Sequence, residues 1–88
     1  MRIKDGFVLR QIIGQYVVVG EGLSQVNFNK MLSLNESAAY LWKELQGKDF
    51  SVEDVTALLL DRYEVAEELA SKDAAALCES WQKAGVLE

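Results

Sequence analysis

Cys78 is the single cysteine of the chain, and histidine is absent from its 88 residues. The usual general base near neutral pH and the commonest transition-metal ligand are therefore limited or missing. Cys78 falls in the middle of a helical pattern with no neighbouring cysteine and no obvious activating base, so it reads as a structural thiol and not as a nucleophile. Adjacent carboxylates occur at Glu53-Asp54 and at Glu67-Glu68. Both pairs stand at helix starts, where capping and the helix dipole account for them better than paired acid–base chemistry does. Gly20-Glu21-Gly22 is too short to cradle a phosphate. The expectation is a non-enzymatic chain with no metal and no cofactor, whose job is binding.

The elements that must present a binding surface come next. A chain of this length makes one domain, residues 1–88, with a modest core and little room for a deep, water-excluded cleft. Apolar residues make up 50% and charged residues 26%, the balance of a folded globular protein. No apolar run reaches the roughly 20 residues that span a bilayer. The start, Met1-Arg2-Ile3-Lys4-Asp5-Gly6, lacks the features of a secretory signal. A lone cysteine fits a reducing compartment, so the chain is expected to be cytoplasmic and not membrane-bound.

β-Branched and aromatic residues dominate up to about Leu34, and helical spacing takes over after it. Phe7 to Ile13 and Tyr16 to Val19 read as strands joined by a two-residue type II′ turn at Gly14-Gln15, with glycine at the first position supplying a positive φ. Val26, Phe28, Leu32 and Leu34 alternate with more polar neighbours, which predicts a third strand with one buried face. Lys30 interrupts that face, as residues on exposed sheet edges often do. The first helix starts near Ser33 to Asn35, with either residue a suitable cap, and ends at Gly47. The second starts at Ser51, with Asp54 completing a capping box and Phe50 and Val55 placed as a hydrophobic staple. The third runs from about Ala66 to Ala84, with Leu69, Asp73, Leu77, Trp81 and Ala84 on one face and Gly85 as its left-handed stop. The fold class is α+β: a three-stranded antiparallel sheet followed by three helices.

This order, with the junction Met31-Leu32-Ser33-Leu34-Asn35-Glu36-Ser37-Ala38-Ala39-Tyr40-Leu41-Trp42 and the ending Trp81-Gln82-Lys83-Ala84-Gly85-Val86-Leu87, resembles the PqqD-like family of peptide-recognition elements. The likeness extends from Val8 to Leu87 and is most specific in the Leu-Asn-Glu segment leading to Leu41-Trp42. The resemblance implies a winged-helix-like domain that binds the leader of a ribosomally made precursor peptide. The leader would join the sheet as an extra strand beside the third strand, in a groove walled by the third helix. It also implies a peptide-modifying enzyme as partner, often a radical S-adenosylmethionine protein, which would carry the iron–sulfur clusters. The family's best-known member serves pyrroloquinoline quinone biosynthesis. Ala66 departs from the acidic cap that many relatives place at the third helix.

Strand addition needs unpaired backbone groups at an edge and an apolar surface for alternate guest side chains. Asn29, Lys30, Met31, Leu32 and Ser33 are the candidates on the third strand. Leu69, Asp73, Ala76 and Leu77 are the candidates on the third helix, with Ala70 a further small residue there. Each has an ordinary alternative. Met31 serves equally well as a core or boundary residue, Leu69 and Leu77 suit a core better than a groove, Ala76 is a good helix former, and Lys30 suits a solvated edge.

Two other functions compete. In a winged-helix DNA-binding regulator the recognition helix would be the third. That helix carries Glu67, Glu68, Asp73 and Glu79 against Lys72 and Lys83, a sign that repels phosphates. Residues 1–34 carry a net +2 and residues 35–88 a net −7, together −5. The helical half therefore favours basic or neutral partners and no nucleic acid. A protein–protein adaptor that binds no peptide needs the same exposed apolar surface. Monomer and dimer, including a strand-exchanged dimer, are both compatible with the sequence.

Overall fold

The computed structural model describes residues 1–20 and 32–88. The elements run β1 (Phe7–Ile12), β2 (Gln15–Gly20), β3 (Leu32–Leu34), α1 (Glu36–Leu45), α2 (Val52–Arg62) and α3 (Glu67–Ala84). The strands form one sheet in the order β1-β2-β3, antiparallel throughout.

The hairpin turn differs from the expected one. Ile12 pairs with Gln15, so the two-residue loop is Ile13-Gly14 and not Gly14-Gln15. Both loop residues have positive φ, 51° at Ile13 and 77° at Gly14. That pair of signs defines a type I′ turn, whose twist matches the flanking strands. Gly14 takes the conformation freely. Ile13, β-branched, does so against its preference and is 98% exposed.

Cross-strand partners lie on the same face of a sheet. Leu9, Val18 and Leu32 are in register, as are Gln11, Tyr16 and Leu34. Leu9, Val18, Leu32, Tyr16 and Leu34 lie in or against the core. Arg10, Val17 and Ser33 are aligned on the opposite face.

The helices are set by the local signals in their sequence. Asn35 caps α1: its Oδ1 accepts from the Ala38 N–H at 2.8 Å and from the Ser37 hydroxyl at 3.0 Å. Ser51 and Asp54 form a reciprocal capping box at α2, with bonds of 3.2 and 2.9 Å, and Phe50 and Val55 are both buried beside it. Ala66 gives α3 no side-chain cap. Gly85 ends α3 in the left-handed conformation, φ 79°, and the Val86 N–H reaches back to the Trp81 carbonyl at 3.2 Å.

The core is organised around two indoles. Trp42 of α1 and Trp81 of α3 meet edge to face, centroids 5.2 Å apart, and are 0% and 1% exposed. The Trp42 Nε1–H is buried with no hydrogen-bond partner among the described residues. Two such large side chains in a small core leave space mainly for small neighbours. The buried face of α3 is accordingly Ala70, Ala74, Cys78 and Trp81, and α3 packs closely on α2. The expected face through Leu69, Asp73 and Leu77 is thus off by about one position, and Ala70 belongs to the core, not to a groove.

The chain ends are tied into this body. Ile3 bridges Leu87, the Lys4 N–H donates to the Val86 carbonyl, and the Glu88 N–H donates to the Arg2 carbonyl, both at 2.8 Å. Met1 and Phe50 exchange two backbone bonds of 2.7 Å.

Candidate functional site

β3 lies at the margin of the sheet. β2 occupies one side of it, and among the described residues no strand flanks the other. Backbone groups on such a margin are available to an incoming extended chain whatever the side chains are. Of the strand candidates, Asn29, Lys30 and Met31 lie outside the described residues. Leu32 is half-buried on the core face, and Ser33 is exposed on the opposite face. An open depression of ≈ 470 Å³ lies at the end of β3 where it meets the start of β2 and of α1, lined by Gly14 to Tyr16 and Ser33 to Glu36.

The helix candidates fall on one flank of α3. Leu69, Asp73 and Ala76 follow the i, i+4, i+7 spacing that keeps residues on a common side, and all three are exposed. Leu77 stands between that flank and the core, half-buried against the apolar cluster. Leu69 is 50% exposed, which contradicts the expectation that it would be core. Ser80 continues the same exposed row. It was not among the candidates, and only the correct rotation of α3 points to it.

β3 packs on β2 and α1, and makes no comparable packing on α3. Leu32 and Leu77 nevertheless rest against the same core cluster. The two sets of candidates therefore share a hydrophobic base without directly closing on one another.

The exposed charge of α3 is mainly acidic, and one of its two lysines is already paired: Lys83 Nζ lies 3.1 Å from Glu79 Oε1. Cys78, on the buried face of α3, does not reach this surface. Burial pushes its thiol above the ordinary value, and the positive chain amino terminus offsets only part of that. A thiol held protonated is a poor nucleophile. Among the described residues no helix is long and apolar enough to cross a membrane.

Comparison with known proteins adds three findings. The profile of the family described as "Coenzyme PQQ synthesis protein D (PqqD)" matches residues 15–87. The solved structure "TbiB1 in Complex with the TbiA(beta) Leader Peptide" is similar in fold, with a TM-score of 0.73 and 19% identity over 100% of this chain and 95% of that one. "Lasso peptide synthetase B1 complexed with the leader peptide" is similar with a TM-score of 0.67 and 24% identity over 98% of this chain and 93% of that one. No curated protein matches the chain.

Proposed function

The chain belongs to the PqqD family, and on that premise we propose that it is a peptide-recognition domain, which captures the leader of a ribosomally made precursor and presents it to a peptide-modifying enzyme. The leader joins the sheet as a further strand beside β3, and its alternate side chains meet the exposed flank of α3. The margin of β3, which no strand flanks among the described residues, is the observation that carries this reading. Two similar folds were solved with leader peptides, which supports the same assignment.

The domain acts by binding and holds no reacting atoms of its own. A radical S-adenosylmethionine enzyme is the partner most in keeping with the family, and the cytoplasm is the matching compartment. Asn29, Lys30, Met31, Leu32 and Ser33 supply the strand side of the site. Leu69, Asp73, Ala76 and Leu77 supply the helix side.

The test is an NMR titration of the labelled chain with the leader of the precursor peptide encoded nearest its gene. Amide shifts should concentrate at Leu32 to Leu34 and along Leu69, Asp73, Ala76 and Leu77. Binding that leaves both stretches unperturbed overturns the assignment.

A further inference from the structure

The sheet is stepped at one end. β3 stops at Leu34, the partner of Tyr16, and Asn35 leaves the sheet as the cap of α1. The hairpin runs on through Gln15, which pairs with Ile12, to its loop at Ile13-Gly14. It outreaches β3 by Gln15 and Gly14, about 7 Å of strand. The open depression of ≈ 470 Å³ is the notch so formed, with Gly14 to Tyr16 as one wall and Ser33 to Glu36 as the other.

Most of the polar side chains in the notch are uncommitted. Asn35 Oδ1 already accepts from the Ala38 N–H and the Ser37 hydroxyl. Gln15, Ser33 and Glu36 are exposed, and their side chains make no hydrogen bond or ion pair among the described residues. Glu36 is the one charged residue among the described residues that line the notch. The cation beside it, Lys43, is engaged over the Tyr16 ring, its Nζ 5.4 Å from the centroid.

Ser33 and Leu34 belong both to the notch and to the margin of β3, so the notch continues the peptide site. A chain added beside β3 lies roughly 10 Å from β2, two strand spacings away. Past Leu34 nothing from β3 fills that gap, and the guest loses its pairing there. A short guest side chain leaves the gap to water. A long one crosses it, with its stem on Tyr16 and Leu34 and its head at Gln15, Ser33 and Glu36, all of which accept hydrogen bonds.

We propose that the notch is a subsite for one Lys or Arg of the leader, placed just beyond the stretch that pairs with β3. The inference rests on the peptide reading above and adds a sequence requirement to it. Backbone pairing with the three residues of β3 is indifferent to guest side chains. Glu36 supplies the discrimination: it attracts a basic residue at one place in the guest and repels an acidic one there.

The experiment uses the labelled full chain and the leader encoded nearest its gene. The amides of Gln15 and Glu36 should shift together with those of Leu32 to Leu34. Each Lys and Arg of the leader is then replaced in turn by glutamine. One replacement should weaken binding to the wild type about threefold, the scale of an exposed charge pair, and have no effect on binding to Glu36→Gln. Glu36→Lys should weaken binding of the native leader and recover it when that same leader residue is made glutamate. Melting curves check that each variant is folded. Glu53→Gln, at an exposed carboxylate on α2, is the control and should change nothing. Shifts at Leu32 to Leu34 with none at Gln15 and Glu36 overturn the subsite and leave the peptide reading standing. So does a leader in which no basic residue couples to Glu36. A titration without shifts at Leu32 to Leu34 removes the peptide reading, and the subsite with it.

Discussion

Leu69→Ala separates the proposed peptide site from ordinary helix surface. Fully burying a leucine side chain is worth about 2 kcal/mol. Leu69 is 50% exposed in the free chain, so a guest that covers it gains the remaining half, about 1 kcal/mol. At about 1.4 kcal/mol per tenfold, truncation to alanine should weaken leader binding roughly fivefold. Leu60→Ala on α2 is the matched control. Leu60 is 40% exposed, and no part of the proposed groove includes it. Isothermal titration of the leader peptide into wild type and both variants gives the comparison, with thermal melts confirming that each is folded. The expected pattern is a fivefold loss for Leu69→Ala and an unchanged affinity for Leu60→Ala. A loss below twofold at Leu69, or an equal loss at Leu60, refutes the placement of the guest against this flank of α3.

Three further outcomes follow from the local geometry. Ile13→Asn should stabilise the chain by about 1 kcal/mol, because asparagine tolerates the left-handed conformation that isoleucine resists. For a domain of this size that corresponds to a rise of about 5 °C in Tm, and an unchanged or lower Tm counts against the type I′ turn. Ser51→Ala removes the capping-box acceptor and should lower stability by about 1 kcal/mol, read from the urea midpoint. Cys78 should resist a thiol-reactive disulfide reagent in the folded chain and react once denaturant opens the core. Because its pKa is raised on folding from an ordinary 9.0, the thiol binds its proton more tightly in the native state. Its contribution is therefore full below pH 9.0 and is lost as pH climbs through the native value. Alkaline urea titrations of Cys78→Ala should show a shallower decline than wild type.

Much of this architecture was legible because the signals were local. Asn35, the Ser51–Asp54 box and Gly85 each mark a helix end through one or two side chains, so they can be read without knowing what packs where. The hairpin was found, but its turn slipped by one residue. The glycine suited several loop registers, and only the pairing of Ile12 with Gln15 selects one. The rotation of α3 was harder. Leu69 looks like a core residue beside alanines, yet the alanines face inward with Trp81, which meets Trp42 of α1 in a core that has little space for a further large side chain. That preference arises between elements far apart in sequence, and periodicity within one helix does not contain it. For the site, it is the family resemblance, and not the residue pattern, that implies the third strand and the third helix. The margin position of β3 came from pairing, which no single strand's composition specifies.

The bridge between Ile3 and Leu87, with the bonds from Glu88 to Arg2 and from Lys4 to Val86, sets the two extremities of the backbone side by side. Closing them with a short flexible tether would turn the polypeptide into a ring at little entropic expense. Fresh ends could then be opened at Gly47, an exposed position between α1 and α2. Such a permuted molecule would leave both β3 and α3 uncut, and would carry a reporter on the turn between α1 and α2.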